Sequence, residues 1–268
     1  MKKTIILECL YPDIFDIDNM RETKSFPFIK NEKNCLPQWY LKTENFDKNC
    51  PFSQFKNSSN STIKTCWGLK RYFSNTLTFP MLQDFHYIYE NNYFHMEDNL
   101  LATQGIIKSE VHPVSQFKEF LPILESKNLT HPIKLGFPFF LRVKNKDVQL
   151  TGIYSDCFWD DKAENNIKII PGIFDICQQE YLQMNVFFCI KKDSINQHQL
   201  IKTGTPFFDL IFNLPYGWKI KLEFLPKTMN EISDIHFKKV IKSQQYSSST
   251  KFFHRVFNKL KSMYDYRN

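Results

Sequence analysis

Short runs of β-branched and aromatic residues, divided by turn-forming residues, recur along most of this chain, and they limit its fold more than any other feature. They cover residues 4–10, 76–79, 85–89, 137–143, 148–154, 166–170, 184–190, 206–212 and 218–224. Branched and ring-bearing side chains suit a pleated, half-buried surface, and strands at this spacing imply a mainly β, antiparallel sandwich or barrel. The runs at 137–143 and 148–154, joined by Lys144-Asn145-Lys146-Asp147, predict a β-hairpin. With 27 Phe the core is expected to be built largely from rings, whereas 7 Gly beside 13 Pro argue against glycine-rich phosphate loops.

Helical spacing is confined to two places. Between His112-Pro113 and His131-Pro132, the residues Phe117, Phe120, Leu121 and Leu124 predict a short helix over 115–127, with Ser115 as N-cap and Pro122 kinking or delaying it. Near the end, Thr250 is placed to cap a helix with Phe253, Val256, Phe257, Leu260 and Tyr264 on one face and Lys251, Arg255, Lys259 and Lys261 on the others. Residues 236–268 hold eight Lys and Arg against Asp265 alone, a surplus of seven that equals the net charge of the whole chain. The expected organisation is therefore a β-rich domain over 1–235, with a polar Ser/Asn-rich loop at 53–62, followed by a basic C-terminal segment over 236–268. Lys251, Arg255, Lys259 and Lys261 either remain in water while the ring face docks, or meet a protein partner, a nucleic acid or an acidic surface.

The opening apolar stretch is broken by Glu8 and is too short for the core of a signal peptide, so it reads as a first strand. No apolar run approaches the roughly 20 residues of a transmembrane helix. The seven cysteines are odd in number, scattered and never in C-x-x-C spacing, which suits a reducing compartment. In that setting the sequons at Asn57, Asn60 and Asn128 are only polar loop sequence.

Four segments carry a resemblance: Leu36-Pro37-Gln38-Trp39-Tyr40, Thr62-Ile63-Lys64-Thr65-Cys66, Pro171-Gly172-Ile173-Phe174-Asp175 and Ile201-Lys202-Thr203-Gly204-Thr205-Pro206. In this order they resemble an uncharacterised family of proteins encoded by tailed phages of marine bacteria. That likeness implies a phage gene product, located in the host cytoplasm or the virion, and brings no activity. Residues 171–212 are also similar to the closing half of the dUTPase and dCTP deaminase fold, which would make the core a dUTPase-like β-clip. The likeness implies that Asp175 activates water. The chain departs from that pattern: no Tyr stands two residues after Asp175, Asp209 replaces a Gln, and the Ser-rich phosphate segment is missing.

Each candidate for chemistry has a plainer reading. Asp175 is either a general base or a carboxylate bonded to a turn set by Pro171 and Gly172. His95 and Glu97 on one strand, with His112, His131 or His198, have the types needed for a two-histidine, one-carboxylate iron site, or are a coincidence of spacing. Cys66 beside Trp67, and Cys189 between Phe188 and Ile190, read as small buried hydrophobes rather than nucleophiles. Asp156, Asp160 and Asp161 around Cys157 read as a solvated loop or a divalent-cation site. No cofactor and no metal is expected. The leading functional expectation is a non-enzymatic phage accessory or virion-associated protein acting through protein contacts. The alternatives are a divergent nucleotide-binding or nucleotide-hydrolysing protein of dUTPase-like fold and a non-haem metal-dependent oxygenase.

Overall fold

The structure is a computed structural model and describes residues 3–32, 35–44, 62–91, 93–97, 108–111, 118–144, 150–160, 162–163, 166–176 and 181–235. The expected basic helix, with Lys251, Arg255, Lys259 and Lys261, lies outside the described residues, as do residues 53–61 of the polar loop. The chain is mainly β, with several antiparallel sheets. It divides into two compact units, one of 1–11 and 15–225, the other of 12–14 and 226–268. No helix among the described residues is long and apolar enough to cross a membrane.

The described residues form three sheets. The first has strand order β14 (Lys219–Lys227), β1 (Thr4–Pro12), β7 (Ile133–Val143), β11 (Leu182–Ile190) and β9 (Ile167–Ile169), with β6 (Lys108–Val111) also on β7. The second runs β10 (Ile173–Asp175), β8 (Thr151–Ser155), β13 (Pro206–Asn213), β3 (Thr76–Pro80) and β2 (Phe28–Ile29). The third joins β12 (Gln199–Ile201), β4 (Phe85–Glu90) and β5 (Tyr93–Glu97).

Rings tie these sheets together. Phe79 of β3 stacks on Phe208 of β13 with centroids 4.6 Å apart, and Phe137 of β7 meets Phe208 edge-on at 5.3 Å. Phe188 of β11 touches Phe207 of β13 at 5.5 Å and Phe94 of β5 at 5.8 Å, so the ring chain reaches all three sheets. Each such side chain contributes about 1.5–3 kcal/mol by leaving water, which is why so many Phe can replace a larger apolar inventory.

Among the described residues of the larger unit are four short helices: α1 (Ile17–Glu22), α2 (Gln38–Lys42), α3 (Trp67–Asn75) and α4 (Leu121–Ser126). Asp16 caps α1 by accepting from the amides of Asp18 and Asn19. Between α2 and α3, Tyr40, Leu69 and Phe73 form a satellite core. In the smaller unit, Thr228 and Glu231 form a reciprocal capping box ahead of a helical stretch at 229–235: Glu231 N donates to Thr228 Oγ1 at 3.3 Å and Thr228 N to Glu231 Oε2 at 2.9 Å.

Several sequence expectations need correction. The runs at 137–143 and 148–154 do not pair with each other. One edge of β7 is taken by β11 and the other by β1 and β6, so no edge is left for β8, which crosses to the second sheet and pairs with β13 and β10. The middle helix begins only at Leu121, after a single 3₁₀ turn at Lys118–Phe120, with Pro122 in its first turn where a missing N–H costs nothing. Residues 112–117, including the proposed cap Ser115, lie outside the described residues. Residues 173–175, expected in a turn, form the edge strand β10. Gly172 is not a positive-φ residue, and its carbonyl accepts from Tyr154 N at 3.0 Å.

The Lys-x-Gly-Thr-Pro segment does make a turn, for a conformational reason. Thr205 N bonds Lys202 O at 3.0 Å across Gly204, whose φ is +77°, and a Cβ there would stand 2.5 Å from the Thr23 carbonyl oxygen. Asp84 fastens the turn by accepting from both the amide and the hydroxyl of Thr203 at 2.8 Å. Those bonds hold its carboxyl below the usual range.

Candidate functional site

The polar centre of the larger unit is one that the sequence motifs do not announce. Asp209 sits in the middle of β13, opposite Thr78 of β3 and Ser155 of β8, in the otherwise apolar run Pro-Phe-Phe-Asp-Leu-Ile-Phe. Its side chain is wholly buried, and Lys30, the residue after β2, meets it with Nζ 2.5 Å from Oδ2 and is itself wholly buried. Lys30 is placed by its own amide, which donates to Thr76 O at 3.0 Å.

Three more groups donate to the same carboxylate. Tyr72 of α3 gives its hydroxyl to Oδ2, Thr78 Oγ1 reaches Oδ1 at 2.7 Å, and Cys157 Sγ reaches Oδ1 at 3.3 Å. Two oxygens thus receive four donors, which fills the acceptor capacity of a carboxylate.

The electrostatics follow from this geometry. Burial alone would lower the Lys30 pKa, but the charge and hydrogen bond of Asp209 outweigh it and hold the ammonium above its ordinary value. Burial, reinforced by the Asp209 charge, pushes the Tyr72 hydroxyl and the Cys157 thiol up, so both remain protonated donors. A thiol held in that form is a poor nucleophile. What the arrangement does chemically is fasten β2, β3, β13, α3 and the segment after β8 to one point.

That segment carries an aromatic surface directly beyond Cys157. Trp39 of α2 donates its ring N–H to Trp159 O at 2.7 Å, and the two indoles lie 5.8 Å apart. Phe158 stands edge-on to Trp159 at 5.1 Å and remains 78% exposed. Trp39, Phe158, Trp159 and Asp160 surround an open hollow of about 250 Å³. Asp160 also borders a second hollow of about 210 Å³, shared with Lys24, Lys162, Pro37 and the Gly204 turn. Both hollows adjoin segments singled out in the sequence, Pro37-Gln38-Trp39 and Lys202-Thr203-Gly204.

The other sequence candidates fall elsewhere. Asp175 closes β10 opposite Thr151, half-buried, and lines neither hollow. His95 is exposed on β5 opposite Ile88. Glu97 pairs by backbone with His86, while its side chain, like His112, is outside what is described. Among the described residues no group of three or more His, Cys, Asp and Glu could hold a metal ion. Around Cys157, Asp156 accepts from Ile169 N at 2.6 Å and lies 3.6 Å from Lys168 Nζ, so it serves β9 rather than a cation. Cys189 is buried as expected, but Cys66 is exposed, because it occupies the cap position of α3 and not the apolar face of a strand.

The chain was compared with models of protein families, with curated proteins and with solved structures, and nothing matches in any of the three.

Proposed function

We propose that this chain is a non-enzymatic binding module with a β-sandwich core, a phage accessory or virion-associated protein that works through protein contacts made by the Trp39–Phe158–Trp159 surface. The observation that carries the reading is the mounting of those rings: residues 158 and 159 follow a cysteine bonded into the buried Lys30–Asp209 ion cluster. Rings held in place before a partner arrives lose little freedom on binding, and buried aromatic anchors dominate the energetics of protein interfaces. An exposed Phe costs solvation in the free chain, and a partner removes that cost. The buried Lys30–Asp209 cluster supports the same reading, since its thiol and hydroxyl are held protonated and turned inward.

The test is affinity capture of the full chain from the cells that produce it, beside a Trp39→Ala/Phe158→Ala variant of equal melting temperature. A stoichiometric partner retained by the first and lost by the second supports the proposal. Equal recovery by both chains, or turnover of a nucleotide by the purified protein, overturns it.

A further inference from the structure

A second surface of the same unit has a different chemistry. On α3, Trp67, Lys70, Arg71 and Ser74 fall at the i, i+3, i+4 and i+7 positions of one helical face, while Leu69 and Phe73 are buried on another. Facing them is the turn Pro215-Tyr216-Gly217-Trp218, closed by Trp218 N on Pro215 O at 3.2 Å, with Gly217 at φ +77°. A positive φ at the third position is what a type II turn requires, and it leaves Tyr216 at the tip, 84% exposed. The Trp67 and Tyr216 rings lie 6.4 Å apart and 30° from parallel, and a hollow of about 180 Å³ lies among them and Trp218. Its lining includes Lys70 and Arg71 and no carboxylate.

Trp67 is held in place before any ligand arrives. Arg71 stacks over Trp67 at 5.1 Å while donating to the Leu214 carbonyl, which ties the helix face to the start of the turn. Lys3 stands 5.2 Å from the Trp218 ring and brings a third cation to the rim.

We propose that this face binds single-stranded polynucleotide. Two exposed rings, tilted by 30° with centroids 6.4 Å apart, offer π-faces on which unstacked bases can lie. The hollow is far smaller than the roughly 300–1,000 Å³ of an enclosed ligand site, so it suits one unstacked base whose backbone continues over Lys3, Lys70 and Arg71. Interleaved rings and cations are the means by which single strands are held without sequence preference. An acidic peptide would use the cations and leave the flat ring faces idle, and a neutral glycan would do the reverse.

The experiment is fluorescence anisotropy of the full chain with labelled oligo-dT and oligo-U, against a poly-glutamate peptide as the pure-charge competitor. The Tyr216→Ala and Trp67→Ala variants should each weaken oligonucleotide binding by roughly 5- to 150-fold, the worth of one stacked base. Three phosphate contacts on a single strand should cost roughly 20-fold in affinity between about 50 and 200 mM salt. Because Tyr216 is at an exposed turn tip, its variant should keep the parent melting temperature, and Lys70→Glu is a second probe that leaves the rings intact. Binding of either oligonucleotide that falls in all three variants supports the proposal. It is overturned if neither oligonucleotide binds, if the ring variants bind as the parent does, or if poly-glutamate binds equally well.

Discussion

Replacing Asp209 by Asn removes one charge, keeps the side chain's size and retains one acceptor oxygen. It leaves Lys30 as a buried ammonium without a counter-charge, and breaking a buried pair in this way costs about 3–5 kcal/mol. Total stability of a domain is about 5–15 kcal/mol, so the variant should lose a large fraction of it. At about 2–4 °C per kcal/mol for a unit of this size, the melting temperature should fall by roughly 6–20 °C. The assay is urea unfolding followed by tryptophan fluorescence, with Lys30→Met and the double variant completing a cycle. Since Lys30 and Asp209 share one contact at 2.5 Å, the double variant should cost several kcal/mol less than the sum of the singles. A loss below about 1 kcal/mol for Asp209→Asn, or strict additivity, would refute the assignment of this pair as the unit's fastening point.

Gly204→Ala should destabilise by about 1–3 kcal/mol or more, since φ is +77° and the new Cβ would press on the Thr23 carbonyl; chemical denaturation reads it, and an unchanged midpoint contradicts the turn geometry. Phe208→Ala should cost about 3–5 kcal/mol, because it empties the junction of the Phe79 and Phe137 rings in the same assay. Stability should fall as pH rises past about 9. Burial holds the Cys189 thiol up at about 12 and pushes Cys9 and Cys157 up as well, so above the unfolded thiol pKa the unfolded chain releases protons that the folded chain keeps. One pH unit above that value each thiol removes about 1.4 kcal/mol. Lys30 acts in the same direction, its contribution intact below the unfolded lysine pKa and lost as pH climbs through the raised folded value. A flat unfolding midpoint between about pH 8 and 10 would oppose this reading.

Most strands were legible because ring-bearing runs show as alternation where one face is buried, as in β4 and β11, and as continuous apolar runs where both faces are, as in β3 and β13. Partners were less legible: 137–143 and 148–154 look like a hairpin in sequence, yet competition for the edges of β7 is decided by residues far along the chain. Two-residue and three-residue strands such as β2 and β12 carry too few side chains to show a period. Helix α3 was hidden because its rings at Trp67, Tyr72 and Phe73 suit a strand equally well. The ion cluster left one trace, a carboxylate inside the otherwise apolar, continuously buried run of β13. Asp209 could have been flagged by that inconsistency, and Lys30 after Phe28-Ile29 as its matching charge, but 179 residues separate the two and only the fold joins them.

The polar cluster under β13 is buried and bonded within itself. Native-state alkylation with a small maleimide near neutral pH, read residue by residue in the mass spectrometer, measures whether that cluster is closed to solvent. Exposed Cys66 should react promptly, while Cys157 should react only as fast as the unit unfolds globally. Prompt modification of Cys157 in a chain that keeps its native circular dichroism would show the cluster open to solvent and remove its structural role.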